Sequence, residues 1–170
     1  MYLNDGNGNF TEDTNNSFTQ LYDDGSVTFG DTDGDGDMDL IHSGRNSNND
    51  YVTVYYTNDG NGNFTENTSA NLMNIYGGEV IMEDLNNNGS LDLIISGFEA
   101  TSTFLPTTKI YFNDGAGNFT EDTQNQISGH YLGGIDLGDI NGDGSLDLVI
   151  TGYDENDNPM TKLYTNDGTG

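Results

Sequence analysis

The stretch Tyr2-Leu-Asn-Asp-Gly-Asn-Gly-Asn-Phe-Thr-Glu-Asp-Thr14 returns almost unchanged as Tyr56-Thr-Asn-Asp-Gly-Asn-Gly-Asn-Phe-Thr-Glu-Asn-Thr68 and as Tyr111-Phe-Asn-Asp-Gly-Ala-Gly-Asn-Phe-Thr-Glu-Asp-Thr123. It begins a fourth time at Tyr164-Thr-Asn-Asp-Gly-Thr-Gly170. The starts lie 54, 55 and 53 residues apart, so a repeat architecture is the first-order reading. Within each copy, Asn, Asp and Gly supply the positive φ angles that a tight hairpin needs. The aromatic and β-branched residues on either side mark its two strands.

A second block keeps the same period: Asp31 to Gly44, Asp84 to Gly97 and Asp139 to Gly152. Each copy is a Gly/Asp/Asn-rich loop followed by a short apolar run, namely Asp39-Leu-Ile-His, Asp92-Leu-Ile-Ile and Asp147-Leu-Val-Ile. No segment sustains a helical apolar period. The repeat therefore reads as four short strands, centred in the first full copy near Val27, Leu40, Val54 and Phe64. Four antiparallel strands per repeat of this length describe the blade of a β-propeller, so the expected class is all-β.

The blade phasing predicts a single repeat array over 1–170. Residues 1–14 supply strands that complete a blade, 26–68 and 79–123 form full blades, and 134–170 form a blade lacking its fourth strand. About three blades fall short of the four to eight of a closed ring. The expectation is an incomplete ring, a fragment of a longer chain, or a ring or array completed by neighbouring chains.

Composition narrows the function classes. Against 29 Asp and Glu the chain has 3 Lys and Arg, a formal net charge of -26, so nucleic acid and anionic membranes are excluded as partners and cations are favoured. Hydrophobic residues make up only 32%, which requires something to neutralise the carboxylates before a compact state holds. No apolar run is long enough to span a membrane. With no cysteine, neither disulfides nor thiolate metal sites are available.

The first loop shows where cations belong. Asp31, Asp33, Asp35 and Asp39 occupy loop positions 1, 3, 5 and 9, Gly36 position 6, and Asp37 position 7, which offers a backbone carbonyl. This is calcium-loop spacing, with hard oxygens on alternate residues of a tightly curled loop. Asp84, Asn86, Asn88, Ser90 and Asp92 repeat the plan, as do Asp139, Asn141, Asp143, Ser145 and Asp147. Position 12 is His42, Ile95 or Ile150 rather than the glutamate of an EF-hand, and a strand follows rather than a helix. About three Ca²⁺ per chain are expected, with affinity falling from the Asp31 loop to the Asp139 loop to the Asp84 loop as side-chain carboxylates become fewer.

Loops of this kind combined with Asn-Asp-Gly-x-Gly-x-Phe hairpins resemble the FG-GAP/VCBS repeats of integrin α-subunit propellers and of many secreted bacterial proteins. The resemblance covers essentially the whole chain. It implies a calcium site between the first and second strands of each blade, and an extracellular, secreted or cell-surface setting.

Function then reads as a calcium-binding structural or adhesive module capable of self-association, and not as an enzyme. His42 and His130 stand at non-equivalent positions with no nucleophile pattern beside them. The alternative is a carbohydrate-binding propeller or the non-catalytic part of a polysaccharide-active enzyme. Copies differ most between the second and third strands, at 45–50, 98–107 and 153–160, where Arg45, Phe98 and Tyr153 are equivalent and could meet a glycan or protein ligand. Tyr22, Tyr76 and Tyr131 recur before the first strand and serve either as a stacking platform or as packing between blades. Asn9, Asn63 and Asn118 match a glycosylation acceptor, but read best as structural parts of the hairpin.

Overall fold

A computed structural model describes residues 1–101 and 105–169. Residues 102–104, within the variable loop 98–107, and Gly170 lie outside the described residues. The architecture is all-β, with no helix among the described residues. The strands β1 (Tyr2–Asn4) and β2 (Phe10–Glu12) form a two-stranded sheet. The first full blade is β3 (Val27–Gly30), β4 (Asp39–Arg45), β5 (Tyr51–Asn58) and β6 (Phe64–Glu66), antiparallel and in chain order. The second is β7 (Ile75–Glu83), β8 (Asp92–Glu99), β9 (Pro106–Asn113) and β10 (Phe119–Glu121). The third sheet holds β11 (Tyr131–Gly138), β12 (Asp147–Tyr153) and β13 (Pro159–Tyr164). The sheets are propeller-like blades and do not close into a ring.

Two first strands start earlier than the sequence predicts, at Ile75 and Tyr131 rather than at 79 and 134. Each crosses a bulge, between Tyr76 and Glu79 and between Tyr131 and Gly134. Each bulge brings a glycine against the paired strand. A Cβ on Gly78 or Gly133 would fall 1.8 Å from the carbonyl oxygen of Ser96 or Thr151 in the paired strand, so only glycine fits.

The core lies between blades. Ile41 and Tyr55 of the first blade pack with Val80, Met82, Leu93, Ile95 and Tyr111 of the second. On the other side of the second blade, Leu85, Ile94 and Ile110 pack with Leu148 and Ile150 of the third. This burial on both faces is why the run Leu93-Ile94-Ile95 is apolar without alternation. Val27 and Phe29, which match buried Val80 and Met82, are exposed on the outer face of the first blade.

One polar cluster is embedded at the junction of the second and third blades. Ser96 Oγ lies 2.7 Å from Thr108 Oγ1 and 2.9 Å from His130 Nδ1, all three buried. Burial pushes the His130 imidazole below its ordinary pKa, against a smaller opposing pull from Glu79. Burial does the same to His42. Both histidines are therefore neutral in the fold and take up protons in the unfolded chain first. Stability is complete above the unfolded value near 6.5 and is lost as pH falls below it. Urea unfolding should show a loss of up to about 1.4 kcal/mol per pH unit for each histidine in that window. His130→Gln should flatten the profile, and an unchanged slope would remove His130 as its source.

Candidate functional site

The acidic loops connect the first and second strands of each blade, between β3 and β4, β7 and β8, and β11 and β12. At their sixth position Gly36, Gly89 and Gly144 take φ of 93°, 87° and 90°, the left-handed turn that reverses the chain. The side chains at positions 1, 3 and 5 then cap the loop's own amides. Asp31 accepts from the N–H groups of Gly34 (2.8 Å) and Gly36 (3.0 Å). Asp139 accepts from Gly142 (2.7 Å) and Gly144 (3.0 Å), and Asp84 from Asn88 (3.0 Å) and Gly89 (2.9 Å). Position 5 accepts from the amide at position 7 in all three: Asp35 from Asp37, Asn88 from Ser90 and Asp143 from Ser145. Asp33, Asn86 and Asn141 at position 3 accept from position 5.

This curl gathers the oxygens. In the first loop one carboxylate oxygen from each of Asp31, Asp33 and Asp35 lies within 4.8 Å of the others. Partial burial, then the charges of Asp39, Asp35 and Asp31, push the Asp33 carboxyl above its ordinary pKa. Like charges held this close are relieved by a divalent cation, and a set of hard oxygens suits calcium better than a metal preferring nitrogen or sulfur. Asp31, Asp33, Asp35 and the Asp37 carbonyl are the groups that would hold it.

Position 9 does not join that cluster. Asp39, Asp92 and Asp147 are 0%, 0% and 1% exposed, and their oxygens accept backbone amides from two directions. Asp39 accepts from Thr32 N (3.0 Å), from the Thr32 hydroxyl and from Asn58 N (2.9 Å). Asp92 accepts from Leu85 N (3.1 Å) and Asn113 N (2.9 Å), and Asp147 from Ile140 N (3.1 Å) and Asn166 N (2.8 Å). Each ties the second residue of the loop to the start of the next hairpin. At position 7, Asp37, Ser90 and Ser145 sit over Gly60, Gly115 and Gly168 of that hairpin, where a Cβ would meet their side-chain oxygens. The recurring asparagines Asn58, Asn113 and Asn166 were the sequence signal for this anchor.

The opposite end of the blades is aromatic. Rings run in a row from Tyr51 to Tyr76 (4.7 Å between centroids), Phe98 (6.2 Å), Tyr131 (4.8 Å) and Tyr153 (5.7 Å). The structure thus brings Phe98 and Tyr153 together with Tyr76 and Tyr131. Phe98 contacts Tyr76 in its own blade and Tyr131 in the next, whereas Tyr153 is 40% exposed. Arg45, the equivalent of Phe98, is held by Asp23 through Nε (3.0 Å) and Nη2 (2.7 Å). In the hairpins, the amides of Asn9, Asn63 and Asn118 donate to Asp5, Asp59 and Asp114, which are held below the usual carboxylate range by these bonds.

A family model for FG-GAP-like repeats matches residues 1–42 and 84–150, well over half of the chain. No curated protein matches it.

The geometry separates anchors from cation-facing groups. In chelator, Asp92→Ala is expected to lower unfolding free energy by about 3 kcal/mol, because two buried amides lose a charged acceptor. Asp35→Ala, at an exposed position, should cost less than about 0.5 kcal/mol. Urea denaturation of both variants checks this, and equal losses would deny position 9 its anchoring role.

Proposed function

The chain belongs to the FG-GAP-like repeat family, and on that footing we propose that it is a calcium-binding, extracellular structural or adhesive module, with no catalytic activity of its own. The observation that carries the reading is the cluster of Asp31, Asp33 and Asp35, whose loop hydrogen bonds recur at Asp84 and Asp139. Calcium supplies positive charge at the end of the blades where carboxylates crowd, which favours the compact state of a chain with net charge -26. Loops of this exposure suit the calcium levels outside cells, where modules bind at roughly 10⁻⁴ to 10⁻³ M. Self-association enters through the outer face of the first blade, where exposed Val27 and Phe29 match residues that a neighbouring blade covers elsewhere.

Thermal unfolding across a calcium titration, with chelator and magnesium as references and light scattering in parallel, tests the reading. Calcium at ten times Kd should add about 1.4 kcal/mol for each site filled, the Asp31 loop filling before Asp139 and Asp139 before Asp84. Mass should rise with calcium if blades of separate copies meet. Identical unfolding in calcium, magnesium and chelator would sink the metal role.

A second reading, binding of carbohydrate, is supported by Tyr153, the exposed last ring of the aromatic row. A sugar ring stacks on such a face through its C–H groups. A glycan screen should then find a ligand whose binding Tyr153→Ala abolishes at unchanged thermal stability, and retained binding would remove this surface as the site.

A further inference from the structure

The acidic loops of the first and second blades are hydrogen-bonded to the blade that follows through the carbonyl oxygen of the loop's second residue. Thr32 lies between Asp31 and Asp33, and its carbonyl oxygen accepts from Asn113 Nδ2 (2.7 Å) and Gly117 N (3.1 Å), both on the hairpin end of the second blade. The contact recurs one blade along, where Asn166 Nδ2 donates to the Leu85 carbonyl (2.6 Å) between Asp84 and Asn86. The same amides also reach back to their own loops, Asn113 to Leu91 O (3.0 Å) and Asn166 to Leu146 O (3.3 Å). Each asparagine therefore bridges two successive acidic loops.

The first junction is the more elaborate. Thr32 is 1% exposed, and its hydroxyl lies 2.5 Å from Tyr55 Oη while also donating to Asp39. Gly117 sits so close to that tyrosine that a Cβ would fall 2.6 Å from Oη. Burial and the neighbouring charges of Asp39, Asp33 and Asp35 push the Tyr55 phenol up to about 12, so it remains a neutral hydroxyl at the loop's edge.

We propose that Asn113 and Asn166 are positioning residues for the cation loop of the preceding blade, so that cation binding in one loop and docking of the next blade are a single coupled event. The inference rests on the calcium reading above. The peptide carrying the Thr32 carbonyl is flanked by Asp31 and Asp33, two groups that close around the ion. Fixing those side chains fixes the carbonyl, and hooking the carbonyl from the next blade preorganises the two carboxylates. Such coupling is reciprocal and typically amounts to a 5- to 150-fold change in affinity, about 1–3 kcal/mol.

The test uses the full chain, with terbium(III) as a luminescent stand-in for calcium and hydrogen exchange as a second readout. Tyr55 stands beside the Asp31 loop, while its equivalents Ile110 and Leu163 cannot sensitise terbium. The signal removed by Tyr55→Phe therefore reports the first loop. Asn113→Ala should raise the terbium midpoint at that loop 5-fold or more and speed exchange over 32–36 in saturating calcium, leaving the loop at 139–147 unchanged. Asn166→Ala, at the less buried junction, should instead loosen the loop at 84–92 and spare 31–39, which keeps the proposal decidable if Asn113→Ala does not fold. Unshifted binding and exchange at the preceding loop overturn the coupling while leaving the calcium reading intact. Absence of any terbium or calcium binding to the unaltered chain overturns both.

Discussion

A carboxylate removed from water at the root of each acidic loop is the constraint on which the remaining structure depends. Asp39, Asp92 and Asp147 are inaccessible, and a buried charge persists only when its oxygens are hydrogen-bonded. Here the donors are amides from the second residue of the loop and the first residue of the hairpin. One side chain thus holds together two turns that approach from different strands. The carboxylates of Asp31, Asp33 and Asp35, two half-buried and one exposed, can crowd only because the loop beneath them is pinned.

The two ends of the blades are built on opposite physics. At the loop end, neighbouring blades meet through asparagine amides and backbone carbonyls amid dense negative charge. At the far end they meet through tilted ring pairs, Tyr51 with Tyr76 and Phe98 with Tyr131. The aromatic contacts need no counterion. The loop end is sensitive to whatever neutralises it. Placing the two at opposite ends separates the charged side of each junction from the aromatic one.

The strand plan was legible because its cause is local. Asn-Asp-Gly hairpins and the runs at Leu40, Leu93 and Leu148 specify turns and buried strands with little help from elsewhere. The starts of β7 and β11 were less legible, since Gly78 and Gly133 are required by the close approach of a paired strand's carbonyl, which only the bulged pairing reveals. At the candidate site, Asp31, Asp33 and Asp35 were legible by spacing. The hydrogen bonds of Asp39 were not legible, because one of its donors, Asn58, lies nineteen residues on. The joining of Tyr76, Phe98 and Tyr131 into one row was not legible, because it requires knowing which faces of successive blades meet.

The two junctions differ in the second residue of the loop. The first loop carries the most carboxylates, and its second residue is Thr32, which makes polar bonds to Asp39 and Tyr55. The middle loop has asparagines at positions 3 and 5, and its second residue is Leu85, buried in the apolar cluster with Ile94, Ile110, Leu148 and Ile150. There the second residue adds hydrophobic burial, worth about 1.5–3 kcal/mol for a leucine, where the first loop's second residue adds polar bonds. In a repeat whose units touch only their neighbours, stability is set interface by interface.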